Sequence, residues 1–297
     1  VRVDKNNLTI NDLYKSWIQV KRGLKDNTFS NYKYMYEMFV EPDFGKSKLI
    51  DLKRSDIRGF YNYLADERNV KVNTIDSIHT VLHQVLELGV EDDYLRYNPA
   101  DNALKELKIA RNIESEKRRA LTIPEQDLFE KYLSKQGQYH RWYPIFIIML
   151  YTGMRVGELV KLNRVDVDFV NRECVVLGKG SKERVVYFDA RTKLHLQNYL
   201  NSRSDDNEAL FVSLLEPHNR LEIAGVEIML RKLGRSLEIN KVHPHKFRRT
   251  LATRAIDKGM PIEQVQKLLG HQKIDTTMEY AIVDQQNVKN SHKRYLS

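Results

Sequence analysis

The pattern of apolar and polar positions along this 297-residue chain changes period twice. Over the first hundred residues apolar side chains recur every three to four positions, the spacing that gathers them on one helical face. Ile10, Leu13, Tyr14, Trp17 and Ile18 form one stripe, and Thr9 with Asp12 predicts a capping box at its start. Phe29, Tyr32, Tyr36, Phe39 and Val40 form a second, stopped by Pro42. Ile57, Phe60, Tyr61 and Leu64 predict a third helix with Ser55 as its cap; Ile75, Ile78, Leu82 and Val85 predict a fourth. The aromatics in these stripes read as core packing. Asn98-Pro99 closes this unit, 1–100, because a residue before proline is pushed out of helical geometry. Residues 101–120 are charged and weakly periodic, and predict an exposed basic linker.

A second unit, 121–283, opens where Thr122 with Glu125 starts a helix, and continues through an apolar helical segment at 144–150. The period then shortens to two. Residues 165–168, 173–177 and 183–188 predict short strands, with Gly178-Lys179-Gly180-Ser181-Lys182 as the turn of a hairpin. Helical spacing resumes over 190–203, 222–239, 244–258 and 261–269, and Gly270 reads as a C-cap. The last stretch, 284–297, has too thin an apolar pattern for a unit of its own. The fold class expected is mainly α (α+β): a helical N-terminal domain, then a mostly helical domain with a small antiparallel three-stranded sheet.

Composition narrows the function classes. With 41% hydrophobic and 30% charged residues the chain can form a core and is not a disordered polymer. The longest apolar run, 142–151, is broken by Pro144 and falls well short of the ~20 residues of a membrane span. No basic-then-apolar leader opens the chain, so a cytoplasmic, nucleoid-associated protein is expected, with no membrane partner. The single cysteine, Cys174, excludes an internal disulfide framework and a cysteine-rich zinc site. Forty-nine Lys and Arg against 40 Asp and Glu leave a charge of +9, which favours a polyanionic partner. Basic residues cluster, and Lys21, Arg22, Lys25, Lys53, Arg54, Arg118, Arg119, Lys182, Arg184, Lys246 and Arg249 are read as contacts to a phosphate backbone.

Four segments carry residues with chemistry. Gly153-Met154-Arg155-Val156-Gly157-Glu158-Leu159 sets an arginine at a helix start, with Glu158 three residues on and on the same face. His243-Pro244-His245-Lys246-Phe247-Arg248-Arg249 puts His245 and Arg248 three apart, a donor beside a planar fork that suits phosphate. Leu268-Leu269-Gly270-His271 exposes a histidine at a helix end. Thr276-Thr277-Met278-Glu279-Tyr280 ends on one of 16 tyrosines, most of which must be packing residues. A metal reading lacks partners, since there is no His-Glu-x-x-His and no second cysteine; nor is there a Gly-x-x-x-x-Gly-Lys-Ser/Thr phosphate-binding loop.

In this order, with the Gly178–Arg184 hairpin between the first two, the segments resemble the tyrosine recombinase (integrase) family. The resemblance is strong over about 121–282 and weaker over the helical unit, which matches the family's core-binding domain. It implies a catalytic set of Arg155, Lys179, His245, Arg248, His271 and Tyr280, with Glu158 orienting the cationic side chains; Lys182, in the same turn as Lys179, competes for the role of hairpin acid. Tyr280 would attack phosphorus and form a covalent 3′-phosphotyrosine, with Arg155 and Arg248 on the non-bridging oxygens, Lys179 protonating the leaving 5′ oxygen, and His245 and His271 serving as base or acid and as phosphate donor. The resemblance implies no cofactor, no metal and no ATP. Its partners would be double-stranded DNA recombination sites, a homotetramer on two duplexes whose tails dock on neighbouring protomers, and accessory DNA-bending or directionality proteins. Lys25-Asp26-Asn27-Thr28 before a Tyr-rich helix looks most like mobile-element integrases, which often carry an arm-binding domain upstream; whether one precedes Val1 is open. Chromosome-dimer resolution by an Xer-type enzyme, a type IB topoisomerase, a non-catalytic architectural DNA-binder and a metal-dependent nuclease stay open at this point.

Overall fold

The computed structural model describes residues 7–111, 119–134, 140–178, 183–281 and 292–293, without the side chain of Arg22. The chain divides into two compact units, Val1–Glu116 and Lys117–Ser297.

The first unit is helical: α1 (Ile10–Val20), α2 (Asp26–Phe39), α3 (Arg54–Asp66), α4 (Val72–Glu91) and α5 (Lys105–Ala110). The capping box at α1 is present, with Thr9 and Asp12 exchanging side chain and backbone bonds at 3.1 and 3.3 Å. α4 is the core helix. Its Ile75, Ile78, Val81, Leu82, Val85 and Leu86 are fully buried, packed with Ile10, Tyr36, Ile57 and Leu64 from the helices before it. Two expectations are corrected. Ser55 lies inside the first turn of α3; the cap position is Lys53, whose N–H donates to Asp56 Oδ2 at 2.8 Å. The stretch read as linker begins inside the folded unit, because Ala100, Ala103, Leu104 and Leu107 are buried in the same core. Salt bridges hold α5 to α3, Arg58 to Glu106 at 3.0 Å and Arg111 to Asp66. Small alanines between charges gave α5 too short and too weak a stripe to read.

The second unit contains α6 (Ile123–Ser134), α7 (Tyr143–Thr152), α8 (Val156–Leu159), β1 (Val167–Asp168), β2 (Glu173–Leu177), β3 (Glu183–Tyr187), α9 (Ala190–Asn201), α10 (Ile223–Ser236), α11 (Pro244–Asp257), α12 (Ile262–Leu269) and α13 (Asp275–Met278). Helix α7 is apolar on every side and runs through the centre, as such a helix must. Phe247 of α11 meets Phe129 of α6 and Phe146 of α7 edge-on, at 6.0 and 5.3 Å between centroids. The sheet has the order β1-β2-β3, antiparallel throughout, with Val167 opposite Cys174 and Cys174 opposite Val186. Cys174, Val176 and Val186 point into the core, and burial pushes the Cys174 thiol up to about 12, so it is an inert packing group. Among the described residues no helix is long and apolar enough to cross a membrane.

Candidate active site

Two left-handed glycines organise the site. Gly153 ends α7 with φ +60°, and a Cβ there would lie 2.7 Å from Leu251; Gly270 ends α12 with φ +66°, where a Cβ would lie 2.6 Å from Arg184. Only glycine adopts this conformation without a steric penalty. The first turns the chain so that Arg155 caps α8; the second delivers His271 directly after the end of α12.

Around these turns three guanidinium groups gather, and two of them share one carboxylate. Glu158 is buried, accepts from Arg155 N at 2.8 Å and Arg155 Nη1 at 2.9 Å, and takes Arg184 Nη2 at 2.6 Å. Burial works against its ionisation, but the Arg155 N–H and the Arg184 guanidinium prevail and hold it below the usual carboxylate range. Arg184 Nη1 donates to the Leu268 carbonyl at 2.8 Å. Arg248, only 2% exposed, donates to the Gly153 carbonyl at 2.6 Å and to that of Leu269. The carbonyl end of α12 is thus gripped by two arginines, at the negative end of its dipole. The bonds close a ring: Gly153, Arg248, Leu269, Leu268, Arg184, Glu158, Arg155. Burial, with Arg155 and Arg184 nearby, brings Arg248 down to about 10, so it is still a cation at neutral pH.

His271 and Tyr280 complete the cluster. His271 Nδ1 lies 2.8 Å from the Thr277 hydroxyl, and Thr277 is fully buried. Burial, then the cations Arg248, Arg155 and Arg184, lower His271 to about 4, so the ring is neutral at pH 7. The imidazole sits 5.8 Å from the Tyr280 ring, centroid to centroid. Tyr280 is 9% exposed and packs on Ala252, Val265 and Leu269. The structure therefore brings together Arg155, Glu158, Arg248, His271 and Tyr280 from four separated segments. His245 lies exposed in the first turn of α11, its ring 6.5 Å from that of His243. Lys179 and Lys182 lie outside the described residues.

The residues read as DNA contacts divide. Lys25, Lys53 and Arg54 are exposed, while Lys21 is half-buried, its ammonium 5.8 Å from the Trp17 ring centre. Arg119 is exposed and forks onto Glu125 at 2.6 and 2.7 Å. Arg118 and the Arg22 side chain lie outside what is described. Two readings need correction. Lys246 is 5% exposed, its Nζ donating to the Asn240 carbonyl at 3.0 Å, and burial lowers its pKa; it is an internal tie. Arg184, 12% exposed along its side chain, belongs to the arginine–glutamate ring. In a strand, alternate side chains face opposite sides, so the inward position of residue 184 was the available clue. Thr277, which fixes His271, carried no sequence signal beyond its place in the last motif.

Comparison with known proteins gives one consistent answer. The profile of the phage integrase family matches residues 125–287, and that of the phage integrase N-terminal SAM-like domain matches residues 9–65. The chain is 29% identical to the tyrosine recombinase XerC of Pediococcus pentosaceus over 95% of its own length and 96% of that protein's. It is 28% identical to XerC of Staphylococcus aureus, over 96% and 97%. Among solved structures, the Tn1549 transposon integrase in complex with a circular intermediate DNA superposes with a TM-score of 0.84 at 20% identity, covering 97% of this chain and 99% of that one. The XerH recombinase bound to a palindromic difH substrate gives 0.73 at 17% identity, covering 97% and 85%.

Proposed function

Because this chain belongs to the phage integrase family of tyrosine recombinases, we propose that Tyr280 is its nucleophile and the surrounding ring of arginines its phosphate site. The protein is a site-specific recombinase, breaking and rejoining DNA strands. In the reading advanced, Tyr280 Oη attacks the scissile phosphorus, a phosphotyrosyl bond forms on the 3′ side, and the P–O5′ bond breaks. The phenolic proton passes to His245, and the leaving 5′ oxygen takes a proton from Lys179. A free 5′ hydroxyl from the partner strand then attacks the phosphotyrosine and restores the phenol. The energy of the broken linkage stays in the covalent intermediate, which makes ATP unnecessary.

The observation that carries this is the charge balance beside Tyr280: of three guanidiniums, Arg155 and Arg184 share a single buried carboxylate and Arg248 meets only backbone carbonyls. Such a surplus of fixed cations in a buried site is costly unless an anion completes it. Arg155 and Arg248 present fork donors to the non-bridging oxygens, already oriented before the substrate arrives. For His271 to donate to phosphate its Nε2 must bear the proton, and a Thr277 hydroxyl donated to Nδ1 enforces that tautomer.

The biological task proposed is movement of a mobile element, on circular-intermediate or integration-site DNA, by a tetramer on two duplexes with accessory DNA-bending proteins. One observation favours a second reading, chromosome-dimer resolution: the near full-length match to XerC proteins. Recombination of a plasmid carrying the junction flanking the chain's own gene supports the first; recombination only at a chromosomal terminus site supports the second. The chemistry is tested with a nicked suicide substrate. A denaturation-resistant protein–DNA adduct is expected, absent in Tyr280→Phe and mapped by mass spectrometry to Tyr280. An adduct on any other side chain overturns the assignment, and relaxation of a supercoiled plasmid without exchange between two sites points to a topoisomerase instead.

A further inference from the structure

Neighbouring positions on a helix differ by about 100°, so Arg248 and Arg249 leave α11 in different directions. Arg248 turns inward to the carbonyls. Arg249 is half-buried and lies along the segment that carries the nucleophile. Its guanidinium carbon is 4.7 Å from the centre of the Tyr280 ring, and its Nη1 donates to the Glu279 carbonyl at 3.3 Å. One side chain therefore holds both the phenol and the peptide immediately before it.

Beyond the packing of the Tyr280 ring on Ala252, Val265 and Leu269, that segment has few polar ties to the rest of the unit. α13 has four residues, and Met278 and Glu279 after its start are exposed. Local turn bonds continue past its end, Tyr280 N to Thr277 O and Ala281 N to Met278 O, both at 3.0 Å. These set the local curl, not the placement against the rest of the site. Apolar packing seats one face of the ring; the polar ties that place the segment are the Thr277–His271 bond on one flank and Arg249 on the other. A cation over the face of a phenol is attracted by the ring's quadrupole and restrains the ring without occupying its hydroxyl.

We propose that Arg249 is a positioning residue for the nucleophile: it holds the Tyr280 ring and the Glu279 carbonyl so that Oη faces the scissile phosphate, and it does not itself bind DNA. This rests on the reading of Tyr280 as nucleophile. It replaces the expectation that Arg249 contacts the phosphate backbone, and the two differ in what they change. A backbone contact sets DNA affinity; a positioning contact sets the rate once DNA is bound.

The test uses the full chain and a suicide substrate carrying its own recombination site, comparing wild type with Arg249→Ala and Arg249→Lys. At saturating DNA the rate of adduct formation should fall about tenfold to a hundredfold in Arg249→Ala, since a displacement near 1 Å suffices for that. The DNA dissociation constant should stay within about twofold, and Arg249→Lys should recover part of the rate because an ammonium also sits over a ring. A second readout needs no activity. Nitration of Tyr280 by tetranitromethane in the DNA-free protein, mapped by peptide mass spectrometry, should rise severalfold in Arg249→Ala and stay near wild type in Arg249→Lys. Weakened DNA binding with an unchanged saturated rate overturns the proposal, as do unchanged rate and unchanged nitration. If wild type gives no adduct at Tyr280 the functional reading fails separately, and the nitration comparison still decides whether Arg249 restrains the ring.

Discussion

In the first unit the side chains removed from water are almost all carbon: the faces of α1 to α4, with Asn98 the buried polar residue among those described. In the second unit Glu158, Lys246 and Arg248 are buried beside Thr152, Thr250 and Thr277. Asn98 is satisfied at both ends, accepting from Ala100 N at 3.0 Å and donating to Glu87 at 2.7 Å. Arg248 has only neutral carbonyls as partners and two further arginines nearby. A helical unit that merely has to be stable has no reason to bury an unneutralised charge, since apolar replacements of equal volume usually do better. The second unit spends stability on a cluster of cations; the first supplies an ordinary apolar core.

One pair of substitutions should separate the two most widely. Leu82→Ala, in the middle of α4, deletes fully buried carbon and should destabilise the first unit by about 2–5 kcal/mol, while the adduct-forming rate of folded protein on saturating DNA holds. Arg248→Met should do the reverse. It removes one preorganised donor, and the saturated rate of adduct formation should fall roughly a hundredfold to a thousandfold. Its stability change should be smaller than that of Leu82→Ala. Relief of charge burial offsets the loss of donors to Gly153 and Leu269, each worth about 1–3 kcal/mol when left buried and unmet. Chemical denaturation and single-turnover cleavage measure the two axes. If Arg248→Met unfolds the protein more than Leu82→Ala does, the arginine is structural and the contrast collapses.

Gly270→Ala sharpens the contrast at a single backbone position. An L-residue at φ +66° carries a strain of about 1–2 kcal/mol, and the added methyl meets Arg184 at Cδ and Nε. Because Arg184 bonds both Glu158 and Leu268, displacing it disturbs Arg155 as well as His271. Stability should fall by about that strain, with a loss of cleavage larger than it explains. The same substitution at Gly225, where φ is not left-handed, should do neither. Equal effects at the two glycines would show that Gly270 has no special link to the site.

Most elements of both units were legible because burial imposes a period. The stripes of α1 to α4, the strands around Cys174 and the helices 190–201, 223–236, 244–257 and 262–269 all fall where apolar spacing puts them. The Thr9–Asp12 and Thr122–Glu125 caps were legible because both partners lie within one turn. α5 and α13 were not, being four to six residues long and too short to show a period, whereas the helix start at Arg155 was read from its motif. For the site, residue types and order pointed to Arg155, Arg248, His271 and Tyr280, but not to how they are held. Arg184 bonds across 26 residues to Glu158 and 84 residues to Leu268, and no local pattern announces such pairing. Lys246 was misread for a related reason: it shares a motif with Arg248 and Arg249, yet faces Asn240 inside the unit.

The smallest effect follows from His271, and its sign is fixed by the same surplus of cations. Burial and the arginines lower its folded-state pKa to about 4, from an ordinary 6.5. Between those values the unfolded chain binds a proton that the folded one refuses, so stability is complete above about pH 6.5 and declines as pH falls toward 4. From pH 7 to 6 the decline due to this group is under about 1 kcal/mol, an upper bound because solvent screens a half-buried ring. His271→Asn should flatten that part of the stability curve, as measured by denaturant melts at each pH. A bound phosphodiester should act in the opposite direction to the arginines and raise the His271 pKa, visible as a shift of its imidazole resonance when DNA is added to Tyr280→Phe. An imidazole that titrates near 6.5 in the free protein would mean the three guanidiniums do not act on it, and the second unit would lose its claim to a preformed cationic cluster.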